Sequence, residues 1–251
     1  MKFNLHAAIN HSFFLYLHKD NKLGCVLSLP LKQYEMTEYD AYIFDLDGTL
    51  LDTLGDLAAS VNAALEACQM PCRTIDEVRA FVGNGVRVLM QRAVPDGTDE
   101  KHMEEALEMF RSYYLVHSMD TTCPYEGIIP LLESLKSRGK KIAIVSNKFQ
   151  KATQELCAHF FGSLVDVAIG ESETIRKKPA PDTVVEAMRL LQVDKSQAVY
   201  IGDSDVDIET ARNCSLPCIS VLWGFRSREF LLRHGATTFV ESPEDILASP
   251  T

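Results

Sequence analysis

Residues 41–49 read Ala41-Tyr42-Ile43-Phe44-Asp45-Leu46-Asp47-Gly48-Thr49. Four apolar residues run into two acids and a glycine. A run this short, bounded by a turn signal, is the pattern of a strand buried on both faces. Asp45 and Asp47 stand two apart, so in an extended chain both carboxylates project to the same side. Gly48 then permits a sharp exit.

Outward from that strand the periodicity changes. Leu57, Val61, Ala64, Leu65 and Cys68 lie at i, i+4, i+7, i+8 and i+11, the apolar face of a helix that ends before Pro71. Thr74-Ile75-Asp76-Glu77 is a capping box that opens a second helix. Gly83-Asn84-Gly85 breaks the chain, Val86–Ala93 resumes it, and Met103, Ala106, Leu107, Phe110 and Tyr114 mark a long third segment. Residues 55–120 are thus predicted to be all helical.

From Pro124 strand and helix alternate. Ile128, Leu131, Leu132 and Leu135 line a helix stopped by Gly139, and strands follow at Ile142–Val145, Val165–Ile169, Ala198–Ile201 and Cys218–Val221. Helices near 150–160, 182–191 and 205–212 fill the gaps. Alternation of this kind implies right-handed crossovers and an α/β fold with a parallel sheet. The helical block is too long for one crossover. It is read as an inserted domain, residues 55–121, within a core made of 36–54 and 122–251.

The chain has 251 residues, 46% hydrophobic and 24% charged, a composition that excludes collagen-like, low-complexity and largely disordered proteins. Its formal charge of −10 repels nucleic acid and anionic membrane, so neither is an expected partner. Seven scattered cysteines without a Cys-x-x-Cys suggest no disulfide framework and no zinc ribbon, and a reducing cytoplasm is the expected compartment. Residues 1–35 are an extension of unknown role. Their longest apolar run, Phe13–Leu17, is too short for a membrane span or a signal peptide, and Met36 is the expected start of the working protein. Monomer and homodimer both remain open.

Ligands of open parallel sheets bind beyond the carboxyl ends of the strands. There the chain places Asp45 and Asp47, then Ser146-Asn147-Lys148, then Gly202-Asp203-Ser204-Asp205-Val206-Asp207, with Lys177-Lys178-Pro179 in a loop between. Each piece alone is an ordinary turn, cap or solvated face. A calcium loop starting at Asp203 fails, because Ile208 and Cys214 stand where such a loop needs glycine and glutamate. Together the residues meet the needs of phosphoryl transfer to a carboxylate. One Asp attacks phosphorus, and a second protonates the leaving alcohol and later deprotonates water. Hard oxygens of Asp45 and Asp203 hold Mg²⁺, Lys178 places positive charge by the transferring group, and the Ser146 hydroxyl bonds its oxygens.

Asp45-Leu46-Asp47-Gly48-Thr49-Leu50, Ser146-Asn147, Lys178-Pro179 and Gly202-Asp203-Ser204-x-x-Asp207 resemble the four motifs of the haloacid dehalogenase superfamily, over about residues 40–245. Phe81-Val82-Gly83-Asn84-Gly85-Val86-Arg87 and Trp223-Gly224-Phe225 look like its phosphoglycolate phosphatase group. The resemblance implies a Rossmann-like core with a helical cap and Mg²⁺. It implies Asp45 as nucleophile, Asp47 as general acid and base, and Ser146 and Lys178 as phosphate-site residues. Asp203 is then a metal ligand with Asp45 and the Asp47 carbonyl, and Asp207 acts from behind the metal. Gly48, Thr49 and Asn147 are further candidates for phosphate or substrate contact. Lys177 competes with Lys178 for its role, and Arg87, beside Asn84, is a candidate for a substrate carboxylate.

The expected activity is hydrolysis of a small phosphorylated metabolite through an aspartyl-phosphate, with phosphoglycolate the preferred substrate. Asp47 argues against a true dehalogenase, whose halide leaving group needs no proton. Pyrophosphate, sugar or nucleoside monophosphates, a β-phosphoglucomutase-like mutase, and a non-catalytic regulatory protein are the alternatives.

Overall fold

The computed structural model describes residues 39–247; the expectations placed on residues 1–35 and on Met36 lie outside them. The first strand, β1 (Ala41–Phe44), is buried along its whole length. A two-residue strand, β2 (Leu51–Asp52), follows, and then four helices: α1 (Leu54–Ala67), α2 (Ile75–Phe81), α3 (Val86–Ala93) and α4 (Glu100–His117). The Thr74/Glu77 capping box opens α2 as expected. The chain returns through β3 (Cys123–Pro124), which pairs antiparallel with β2, Leu51 against Pro124 and Asp52 against Cys123.

Strand and helix then alternate through α5 (Ile128–Ser137), β4 (Lys141–Phe149), α6 (Gln150–Phe160), β5 (Val167–Glu171) and α7 (Asp182–Leu191). The series ends with β6 (Ala198–Gly202), α8 (Asp205–Cys214), β7 (Cys218–Val221), α9 (Arg228–Arg233) and β8 (Thr238–Val240). Six strands form a sheet in the order β5-β4-β1-β6-β7-β8, every neighbouring pair parallel. The α/β parallel sheet is therefore as expected. Alternate residues of β1 feed two cores: Tyr42 and Phe44 pack with Leu131 and Leu135 of α5 and Leu156 of α6, and Ala41 and Ile43 with Val184 of α7 and Ala211 of α8.

Strand boundaries move most at β5 and β4. The strand expected at Val165–Ile169 begins at Val167, because Asp166 Oδ2 accepts from the Ile142 amide at 2.8 Å and takes the place of a ladder bond. The strand expected at Ile142–Val145 runs on to Phe149, with its pairing to β5 irregular between Val145 and Phe149. That extension carries Ser146, Asn147 and Lys148 beyond the edge of the core.

Helices α1–α4 share an apolar cluster of their own, including Leu57, Val61, Met90, Leu107 and Phe110, joined from the core by Ala152 of α6. The two ends of this insert are tied by Asp56. Its carboxylate accepts from the backbone N–H and hydroxyl of both Thr121 and Thr122, at 2.6 to 3.1 Å. Burial alone would raise its pKa, but these bonds outweigh that and hold it below the usual range. Among the described residues, no helix is long and apolar enough to cross a membrane.

Candidate active site

Asp45 ends the central strand, where its N–H donates to Ile201 O at 2.9 Å. Neighbouring strands β4 and β6 deliver Ser146 and Asp203 to the same edge of the sheet. Lys178 arrives from the loop before α7, and its ammonium lies 2.7 Å from Asp45 Oδ1, 2.9 Å from Asp207 Oδ1 and 3.0 Å from the Tyr200 hydroxyl. Burial would lower the pKa of this lysine, but the carboxylates of Asp207 and Asp45 outweigh it and keep the cation charged.

Asp203 is reached by Phe225 N–H at 2.7 Å and, more distantly, by the Thr49 hydroxyl at 3.4 Å. The Asp207 oxygens are fully used by the chain: Oδ1 accepts from Lys178 and Tyr200, and Oδ2 accepts from the Ser204 N–H and hydroxyl. Gly48 and Gly224 let the backbone close on this group. A Cβ at Gly48, where φ is +82°, would lie 2.5 Å from Asp203 Oδ2, and one at Gly224 would lie 2.3 Å from Asp203 Cβ.

Asp45, Asp203 and Asp207 each bring a carboxylate oxygen within 4.8 Å of the others, all three buried. Burial and the charge of Asp207 push the Asp45 pKa well up, and the same two causes push Asp203 up to about 7. Four carboxylates, counting Asp47, gather here with the ammonium groups of Lys178 and Lys148 and, beside Asp203, the guanidinium of Arg226. A site with more carboxylates than cations and with hard oxygen donors fits a divalent cation such as Mg²⁺. Asp207 has no oxygen left to offer, so Asp45 and Asp203 are the side chains that could hold the metal, with Asp207 behind them.

The expected residues mostly converge. Asp45, Asp47, Ser146, Asn147, Lys178 and Asp203 line one cavity of about 40 Å³. Ser146 Oγ accepts from the Lys148 N–H at 3.1 Å, which leaves its own proton to donate. Asn147 Nδ2 donates to Lys178 O and Gly83 O, so it braces the loop that carries Lys178. The competition between the two lysines is decided by position: Lys177 Nζ donates to Asn84 O at 3.2 Å and lies 3.7 Å from Glu171, outside the carboxylate cluster.

Arg87 is a correction. Its guanidinium pairs with Glu104 and, at 3.2 Å, with Glu100 on the outer surface of the insert, and it does not line the cavity. The insert contributes apolar side chains and backbone instead, among them Leu57, Val82, Gly83, Val86 and Leu89. Two cations went unassigned in the sequence reading. Lys148 is buried, 3.2 Å from Asp47 Oδ1 and 2.6 Å from the Tyr114 hydroxyl of α4, and these partners keep it charged against the effect of burial. Arg226, one residue past Phe225, also lines the cavity. For Lys148 the available signal was its place in the run after β4; for Arg226 there was none.

The model of the haloacid dehalogenase-like hydrolase family matches residues 42–221. A phosphoglycolate phosphatase from Aquifex aeolicus is 33% identical over 184 residues, 73% of this chain and 84% of that protein. One from Pseudomonas savastanoi pv. phaseolicola is 32% identical over 212 residues, 82% of this chain and 75% of that protein. A Lactobacillus delbrueckii subsp. bulgaricus crystal structure, provisionally assigned as a phosphoglycolate phosphatase, superposes with a TM-score of 0.80 at 38% identity. That match covers 83% of this chain and 97% of the other. The parallel sheet, the buried carboxylate and lysine cluster at its edge and these relatives define a phosphatase of the α/β class. The chain belongs to the haloacid dehalogenase-like hydrolases.

Proposed function

We propose that this protein hydrolyses the phosphomonoester of a small metabolite through an aspartyl-phosphate on Asp45, with 2-phosphoglycolate as the preferred substrate. The observation that carries the reading is the Asp45 carboxylate, held 2.7 Å from Lys178 on the wall of a chamber of about 40 Å³ that Asp47 also lines. The named activity of the relatives supports the same substrate.

In the first step a carboxylate oxygen of Asp45 bonds to phosphorus, the bond from phosphorus to the ester oxygen breaks, and Asp47 gives its proton to the departing alkoxide. In the second, Asp47 takes a proton from water, whose oxygen bonds to phosphorus, and the aspartyl–phosphorus bond breaks to regenerate Asp45 and release phosphate. Lys178 stands beside the charge that builds on the phosphoryl oxygens, and the Ser146 hydroxyl is free to donate to them. Asp45, Asp203 and the Asp47 carbonyl are the proposed ligands of Mg²⁺, which when bound would offset the anion's repulsion of the nucleophile. Residues 55–121 act as the cap that excludes water, and residues 36–54 with 122–251 are the catalytic domain.

Phosphate release from 2-phosphoglycolate, pyrophosphate, sugar phosphates and nucleotides, with Mg²⁺ or EDTA, tests this. We expect strong Mg²⁺-dependent turnover of 2-phosphoglycolate, abolished in the isosteric Asp45→Asn variant. Near-normal turnover by Asp45→Asn removes the nucleophile assignment. Phosphate that moves within a sugar phosphate without release identifies a mutase.

A further inference from the structure

The last turn of α2 and the break after it, residues 79–84, present six consecutive carbonyls toward neighbouring elements. A helix C-terminus ordinarily leaves such groups to water or to caps within the same element. Here Phe81 O alone is met from within the insert, by Arg92 at 2.8 Å. The other five accept from donors of the core. Arg226 reaches three of them: Nη1 donates to Arg79 O at 2.7 Å, and Nη2 donates to Val82 O at 2.6 Å and to Ala80 O at 3.4 Å. Asn147 donates to Gly83 O and Lys177 to Asn84 O, each at 3.2 Å.

These donors stand on three separate segments at the carboxyl edge of the sheet, the loop after β7, the extension of β4 and the loop after β5. None of the three meets the insert through a carboxylate. The fit is also close on the glycine side: a Cβ at Gly85, where φ is +86°, would lie 3.3 Å from Lys177 Nζ and from Asn147 O. The gripped stretch is the one that walls the chamber, since Val82, Gly83, Gly85 and Val86 all line it.

We infer that Arg226 and Lys177 are positioning residues that hold residues 79–84 of the insert over the reacting carboxylates. The inference rests on the reading of that chamber as the phosphoester site. When the insert stands in this position, the two side chains satisfy four backbone carbonyls that would otherwise turn to water. Their contribution is to the equilibrium between an insert seated on the core and one displaced from it. If the seated form is favoured with substrate bound, weakening that equilibrium raises KM while kcat holds, until the seated form becomes the minority and kcat falls as well. Arg226 carries most of the effect. It makes three bonds from a planar, rigid fork, whereas Lys177 makes one and shares its charge with Glu171.

The test is steady-state hydrolysis of 2-phosphoglycolate and p-nitrophenyl phosphate by wild type, R226A, R226K, K177M and R226A/K177M. It runs beside amide hydrogen exchange over residues 79–87 of each protein. We expect R226A to raise KM about tenfold with kcat within about threefold, R226K to recover part of that, and the double variant to lose kcat too. Exchange over 79–87 rises about tenfold in R226A, while exchange within α4 stays as in wild type. A drop in kcat at unchanged KM overturns the inference, because it marks fewer active molecules or a direct part in chemistry. Unchanged exchange over 79–87 overturns it whatever the kinetics. A wild type inert on both esters sinks the choice of 2-phosphoglycolate as substrate instead, and the exchange measurement still decides whether Arg226 holds the segment.

Discussion

Lys148 stands between two parts of the protein that do different work. Its ammonium is 3.2 Å from Asp47, the proposed proton carrier, and 2.6 Å from Tyr114 on the insert. Replacing it with Met keeps the length of the side chain and removes the charge. Asp47 then loses the cation that orients it, and Lys148→Met is expected to lower kcat by about 10- to 100-fold, a fraction of what acid–base catalysis supplies. Urea unfolding should also show a loss of roughly 1 to 3 kcal/mol, below the cost of breaking a fully buried pair because Asp47 keeps some contact with solvent. Wild-type kcat in that variant would show that the pair is structural only. At this scale the sequence is readable where a residue type ends an apolar run, as for Asp45, Asp203 and Ser146. Arg87 misled because a guanidinium near a glycine break resembles a ligand, while its acidic partners, Glu100 and Glu104, lie a helix away in the chain.

The elements that escaped the sequence reading are short ones. Strands β2 and β3 have two residues each and β8 has three, too few to show a period, and α9 has six. The long elements were legible because their apolar positions repeat. Asp56, in the first turn of α1, shows how much a brief junction can carry. Its carboxylate joins the outgoing and returning strands of the insert through Thr121 and Thr122, and Asp56→Ala should cost about 2 to 4 kcal/mol at pH 7, since it leaves four donors unmet. The folded pKa lies below the unfolded value, about 3.9. Its ionic contribution is therefore present above that pH and lost as pH falls through the folded value. Urea melts at pH 7 and pH 3 should show the gap between wild type and variant shrinking in acid. A constant gap would mean that packing, and not the ionised carboxylate, joins the strands.

For the molecule as a whole, the buried acids make stability depend on pH and on cations together. Asp203, pushed up to about 7, and Asp45, also raised, favour the folded state while protonated. That contribution is full below the unfolded value near 4 and fades as pH rises through about 7. Without metal the protein should therefore melt at a lower temperature at pH 8 than at pH 6. Millimolar Mg²⁺ should raise Tm by about 5 to 10 °C at pH 8 and by less at pH 5.5, where protons compete for the same oxygens. Asp203→Asn should remove the response, and an unchanged Tm with Mg²⁺ in wild type would count against these ligands. The parallel pairing was readable from alternation alone, but the order of the strands was not, and neither was the hold of three core segments on the insert, because it joins side chains to backbone carbonyls more than sixty residues away.

The two-rung ladder of β2 and β3 brings Asp52 opposite Cys123, so some seventy residues leave the sheet and come back through a single narrow doorway. No strand of the large sheet is interrupted by that excursion, since all six lie outside it. Evolution can therefore redraw the helices beyond the doorway, by drift, insertion or recombination of whole segments, while the acids on the other side keep their register. The chemistry is inherited with the sheet, and the choice of what is admitted to it can be rewritten in a separate block of sequence.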